Sequence, residues 1–248
     1  MQHMGTSATY EPVNTLKPVA EDIWIVDGPV IRFGMPWPKM PFPTRMTIIR
    51  LKNGDLLLHS PTTADEGLIR EVKALGAPRH LIAPNRIHYW WIPDWHATFP
   101  DAEVWLAPRV RQQAGGRISF ETSELAGRGN YPWEGEVDTL TVEGGYMTEI
   151  VFFHRASRTL VLTDMIENFE PRKVGPLMRV VAWLGGVLAP DGQMPRDMRL
   201  TYRSNRAGMK EAVERMIGWD PEHVIIAHGK WFRQNGAAEL RRAFRWLL

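Results

Sequence analysis

The sequence predicts an α/β protein built as a four-layer αββα sandwich, with two sheets face to face and helices outside. Three observations predict it. Strand patterns come in the order strands, helix and strand, strands, helix and strand, which is how two sheets with outer helices are assembled. Several strands are apolar throughout and deliver one polar group at the carboxyl end, as in LLLH ending at His59, TLVLTD ending at Asp164 and VIIAH ending at His228. The 248 residues, 44% hydrophobic and 23% charged, suffice to bury a substantial core.

Residues 1–17 are expected to be a flexible tail and 18–248 one domain. Asp22 to Val26 and Pro29 to Phe33 read as two short strands around a turn at Asp27-Gly28. Residues 34–43, GMPWPKMPFP, hold four prolines with Trp37, Phe42 and two methionines. They are expected as a loop, not a helix or an interior strand, apolar enough either to cover a pocket or to pack on the same domain. Thr44 to Leu51 and Asp55 to His59 make a hairpin about Lys52-Asn53-Gly54. Ala64 to Leu75 is a helix with Leu68, Val72 and Leu75 on one face.

Arg79 to His96, RHLIAPNRIHYWWIPDWH, is the stretch around which the rest of the chain is organised. A buried strand, His80 to Ala83, breaks at Pro84-Asn85 into a loop carrying His88, and Pro93 suits the first turn of a short helix. A strand spilling polar groups into a loop is where α/β proteins place chemistry. Ala102 to Leu106 is the next strand and a short helix ends at Gly115-Gly116, after which 117–134 read as irregular. Further strands lie at Val137 to Val142, Met147 to Phe153 and Thr159 to Thr163, and helices at Leu177 to Leu188 and Asn205 to Ile217. A strand at Val224 to Ala227 and a helix at Ala237 to Leu247 close the chain.

Composition narrows the functional classes. Thirty basic residues against 28 acidic leave a charge of +2, without the clustered field that nucleic acid requires. The denser groups, Arg196 to Arg206 and Arg241 to Arg245, read as solvated helix faces. With no cysteine, disulfides, thiolate catalysis and cysteine-ligated zinc are excluded. Neither a secretory signal nor an apolar run of ~20 residues is present, so a cytoplasmic protein with no integral membrane segment is expected. An exposed apolar helix at 176–190 would favour a homodimer. Serine-hydrolase elbows, Walker loops and dinucleotide-binding glycine fingerprints are absent.

Four polar groups fall just beyond strands: His59, His88, Asp164 and His228. In a sandwich such strand ends gather on one edge, and three imidazoles with a carboxylate suit a single Zn²⁺, Fe²⁺ or Mn²⁺. Each also has an ordinary reading, as a hydrogen-bonded histidine or a turn-capping aspartate. His80, His96, His154 and His223 fall within strands, a helix or turns and read as structural. Glu149 and Glu167 are candidates for an acid or base, Glu149 with an equal reading as a solvent-facing residue and Glu167 one helical turn after Asp164. Trp37, Trp90 and Trp91 could line an apolar mouth, which favours a small, apolar or planar substrate or ligand.

The elements LHSP (58–61), APN-x-x-H (83–88), VFFHR-x-SRTL-x-LTD (151–164) and AHG (227–229) occur in an order that resembles the metallo-β-lactamase-like superfamily, in a branch classed as a domain of unknown function. The resemblance spans about residues 18–248. That family's metal loop reads His-x-His-x-Asp-His, whereas PNRIHYWW supplies one histidine and no aspartate. A second family histidine has no counterpart near Gly144, Gly145 and Tyr146, and His59-Ser60 stand where an Asp-Thr-Gly element usually lies. Asp164 and His228 match family elements. The resemblance therefore implies a hydrolase with a reduced, single-metal site held by His59, His88, Asp164 and His228, with His88 and Asp164 catalytic, acting on an ester, lactone or amide. Two alternatives stay open: a metal-free descendant that binds a small apolar ligand or partner, and an acid/base enzyme using His88 with Asp164.

Overall fold

In the computed structural model, which describes residues 8–33, 39–126 and 129–248, the strand-forming stretches pair into two main sheets. The first has seven strands in chain order: β1 (Lys17–Ala20), β2 (Ile23–Phe33), β3 (Met40–Arg50), β4 (Asp55–His59), β5 (Ala77–Ala83), β6 (Glu103–Leu106) and β7 (Ser123–Glu124). Strands β1 to β4 pair antiparallel in succession. From β4 to β7 the strands are parallel, because helical crossovers intervene. These are α1 (Glu66–Leu75), α2 (Ile92–Thr98) and α3 (Val110–Ala114). The first begins where Asp65 accepts a hydrogen bond from the Leu68 amide at 2.8 Å, and it buries Leu68 and Val72 against the sheet.

The second sheet starts with the antiparallel strands β8 (Val137–Val142), β9 (Glu149–His154) and β10 (Thr159–Val161). The chain then leaves the sheet through β11 (Glu167–Asn168), α4 (Pro176–Gly185), α5 (Met198–Thr201) and α6 (Arg206–Gly218). It returns as β12 (His223–Ile225), parallel to β10, continues into β13 (His228–Gly229), parallel to β11, and ends in α7 (Gly236–Ala243). The sheets face each other: His59 of β4 meets Phe152 of β9 edge-on at 5.1 Å, within a continuous core that includes Ile48, Leu57, Leu81, Ile150, Leu160 and Val224. A smaller cluster, Phe169, Val174, Met178, Ala182 and Val187, packs with Met40 and Phe42 of the β3 extension.

Several expectations are corrected. The two short strands at 22–33 are one strand with a bulge between Asp27 and Val30, and a Cβ at Gly28 would overlap the Thr62 hydroxyl. Of the proline-rich 34–43 loop, residues 34–38 lie outside the described residues, while 40–43 begin β3. Prolines are tolerated there because β4 pairs with β3 only from Thr47 to Arg50, which leaves the start of β3 as an edge. The stretch 117–134, expected as irregular, contributes β7 and the fully buried Trp133. Glu167 sits in a strand and not on a helical turn from Asp164. Within the segment expected as a tail, Ala8 and Thr9 are buried and Lys17 opens β1.

A buried ion pair ties the first sheet to the last. Asp27 receives Arg45 Nε at 2.9 Å and Lys17 Nζ at 2.7 Å, and the Arg45 guanidinium also donates to the Ile226 and Gly229 carbonyls on either side of His228. Removing Arg45 leaves the buried Asp27 with Lys17 alone and takes the donor from two carbonyls beside His228. Arg45→Ala is therefore expected to cost about 3–5 kcal/mol in urea denaturation, and a loss well below ~1 kcal/mol would show that Asp27 is compensated elsewhere.

Candidate metal centre

The site is assembled from strand ends because β4 and β5 are parallel in one sheet and β10 and β12 are parallel in the other. Each pair delivers its next residues at a carboxyl edge. Asp164 follows β10 by three residues and His228 follows β12 by three, while His88 arrives on the loop after β5. There His228 Nε2 lies 3.1 Å from Asp164 Oδ1, and His88 Nε2 lies 3.2 Å from Asp164 Oδ2. One ligating atom from each of the three falls within 4.8 Å of the others. Asp164 and His228 are buried.

Each member is held from behind. The Asn85 side-chain carbonyl accepts from the amides of Ile87 (2.9 Å) and His88 (3.1 Å), folding the loop into a turn that returns His88 to the edge. Its amide nitrogen donates to Asp164 Oδ2 at 2.6 Å and to Thr163 Oγ1 at 2.9 Å. Ser60 Oγ, at a backbone φ of 52°, hydrogen-bonds His88 Nδ1 at 2.7 Å. His228 Nδ1 donates to the Pro43 carbonyl at 2.7 Å. Gly229 comes next at φ 96°, where a Cβ would overlap the Asn168 carbonyl, so the turn admits only glycine. Beneath Asp164, the Glu149 carboxylate accepts the amides of Thr163 (2.7 Å) and Asp164 (2.9 Å).

The hydrogen-bond roles decide the electrostatics. A carbonyl only accepts, so His228 Nδ1 carries a proton, and its Nε2 then faces a carboxylate oxygen at 3.1 Å. That contact is repulsive unless a proton or a metal cation lies on Nε2. Burial pulls the His228 pKa down, but the Asp164 hydrogen bond and charge, then Glu167 and the Pro43 carbonyl, outweigh it and leave it raised. Burial would raise Asp164, yet His88 and His228 hold it well below the usual carboxylate range. Glu149 is raised, first by burial and then by the Asp164 charge. Glu167 is pushed up to about 8, chiefly by burial. Two imidazoles whose outer nitrogens are already engaged, with a carboxylate between them, form a donor set suited to one divalent ion.

A cavity of about 480 Å³ opens over the three residues. Its wall near the cluster is largely apolar and includes Trp90, Trp91, Phe42 and Met178, with Glu167 among the polar exceptions. Trp90 and Trp91, expected at an apolar mouth, line this cavity, while Trp37 lies outside the described residues. His59 is not among the three residues brought within ligating reach: it lies fully buried against Phe152 with Nε2 unpartnered. His80, His96, His154 and His223 contact Trp105, Phe120, Ser157 and the Arg233 carbonyl, away from the group. The sequence left Asn85 unread and the two readings of Glu149 open. Asn85, three residues before His88, had the spacing of a side chain that caps a turn, whereas nothing in MTEIVFF reveals that Glu149 is buried.

Burial, and then the charge of His88, push the His59 pKa down to about 3 from an ordinary 6.5. The unfolded chain takes up a proton at this position below 6.5 that the folded chain refuses. The His59 contribution is therefore full above pH 6.5 and is lost as pH falls toward 3, by roughly 5 kcal/mol over the whole window. Urea denaturation between pH 7.5 and 4.5 should show a His59→Leu variant losing about one proton's worth of this slope relative to wild type. Equal slopes would mean that His59 titrates alike in both states.

Comparison with known proteins bears on the fold. The family described as Domain of unknown function (DUF4336) matches residues 23–178. No curated protein sequence matches the chain significantly. Among solved structures, the DIM-1 metallo-β-lactamase superposes with a TM-score of 0.62 at 12% identity, over 94% of this chain and 95% of the other. A metallo-β-lactamase from Pontibacter korlensis gives 0.59 at 11%, over 94% and 98%. FIM-1 from Pseudomonas aeruginosa, in its mono-zinc form, gives 0.59 at 12%, over 94% and 96%. At such identities the likeness shows the fold alone. The chain belongs to the DUF4336 family, and the sandwich on which it carries His88, Asp164 and His228 is the metallo-β-lactamase fold.

Proposed function

We propose that the chain is a metal-dependent hydrolase in which His88, Asp164 and His228 hold one divalent ion, zinc, iron or manganese, and whose substrate is a small, partly apolar ester, lactone or amide. The observation that carries this reading is the engagement of both outer imidazole nitrogens, by Ser60 and by Pro43, which turns both Nε2 atoms toward one buried carboxylate. The fold shared with an enzyme solved in a mono-zinc form supports a single ion. An ion held there would supply Lewis acidity toward a substrate carbonyl.

The chain's own groups divide the remaining work. Trp90 and Trp91 offer an aromatic wall that orients a planar or apolar substrate and keeps water out. His88 and Asp164 are the residues assigned to the reacting centre. Asp164, held ionised by its neighbours, orients and does not exchange protons. Glu167, lining the same cavity with its pKa near 8, holds a proton at neutral pH that it can give to a leaving group. His59 has no assigned role in the reaction: it lies under the edge as a packed, neutral imidazole.

A second reading, a metal-free pocket that binds a small apolar ligand, is supported by one observation: a proton on His228 Nε2 also satisfies its contact with Asp164. Metal analysis separates the two. Protein purified without added metal should carry, or regain from Zn²⁺, Mn²⁺ or Fe²⁺, about one equivalent per chain. His228→Ala should empty the site, whereas His96→Ala, whose imidazole stacks on Phe120, should leave occupancy unchanged. Occupancy below about a tenth of an equivalent that no added ion restores would retire the hydrolase in favour of the ligand-binding protein.

A further inference from the structure

The segment 171–206 is unlike the rest of the chain in two independent ways. It holds six of the nine large hydrophobic residues that are exposed among the described residues: Leu177, Val180, Val181, Trp183, Leu184 and Leu200. It also holds seven Lys and Arg residues against two Asp, a net of +5 in a chain whose total is +2, which leaves −3 for everything else. Among the described residues, none of the seven forms a salt bridge: the acid pairs elsewhere draw on cations such as Arg45, Arg155, Arg158 and Arg242 instead. One of the two acids is already used, since Asp191 pairs with Arg242.

Helix α4 is the centre of this surface. Its Met178 and Ala182 are buried, and Leu177, Val180, Val181, Trp183 and Leu184 face outward, with Trp183 67% exposed. Arg172 and Arg179 are exposed beside it, and Arg196 donates to the Leu184 carbonyl at its end. Ten residues make a helix of about 15 Å, too short to cross a bilayer of about 30 Å. An apolar helix face that exposes a tryptophan and is flanked by Arg172, Arg179 and Arg196, none of them in a salt bridge among the described residues, is suited to lie in the plane of an anionic lipid surface. The same charge argues against a second copy as occupant, because two such faces would bring Arg172, Arg179 and Arg196 toward their own counterparts.

We propose that this face docks on an anionic lipid bilayer, with α4 lying in the headgroup boundary and the arginines meeting lipid phosphates. Val181 and Leu184 line the cavity as well as the outer face, so docking sets the cavity mouth at the lipid surface. The proposal is independent of the hydrolase reading, since it needs no metal and is tested by binding alone.

The test is co-sedimentation with phosphatidylcholine vesicles, with and without about a third phosphatidylglycerol. Partition onto the anionic vesicles should exceed that onto the neutral ones by at least about 10-fold and weaken as salt rises. The Leu177→Ser, Val180→Ser, Trp183→Ser triple variant removes only outward side chains that do not line the cavity. It should keep its circular dichroism and metal content while losing about 10-fold or more of the partition. Equal partition onto both vesicle types, or unchanged partition of the triple variant, overturns the proposal. So does a wild-type dimer in sedimentation velocity that the triple variant dissolves, which would assign the face to a second copy.

Discussion

An ionised carboxylate buried where two sheets meet is the constraint that the site answers. Holding Asp164 charged away from water costs several kcal/mol unless donors or cations surround it. The surrounding chain supplies them from every side: His228 from the end of one strand, His88 and Asn85 from the loop after another. Glu149 then takes the backbone amides of Thr163 and Asp164, and its own carboxyl is raised because it is buried beside that charge. The loop after β5 has its shape because Asn85 must serve both ends at once, capping the turn with its oxygen and reaching Asp164 with its nitrogen.

Arg45 repeats the same logic one layer out. It neutralises Asp27, which is buried in β2, and it also satisfies two carbonyls on either side of His228. The hairpin that carries Arg45 also carries Pro43, whose carbonyl holds the His228 ring. One strand of the first sheet therefore fixes a ligand candidate that belongs to the last strands of the chain. The dependence runs through buried polar groups, which tolerate little displacement because each lost partner leaves a desolvated group.

The cavity and the exposed helix are two faces of one element. Helix α4 buries Met178 and Ala182 in the small cluster that backs the cavity, and presents its other side outward. An amphipathic helix ordinarily turns its polar side to water. The inversion here is possible because the inner side needs only two buried positions. The rest of the helix is left free to be apolar for another reason.

The layered architecture was legible in the sequence because strand and helix periods repeat locally, and because apolar strands such as Leu56 to Leu58 and Leu160 to Leu162 allow little else. Placing Asp164 and His228 at strand ends was legible for the same reason. The exclusion of His59 from the cluster was not, since a strand-terminal histidine looks alike whether its ring points to the rim or into the core. Nor was the burial of Glu149, whose single charge in an apolar strand reads equally as an acid or base and as a solvent-facing residue until the partner amides are in place. Local chemistry determined which residues could end a strand. Only the packing of one sheet on the other decided which of those ends share a dry space, because desolvation and charge pairing act between segments as far apart in sequence as His88 and His228.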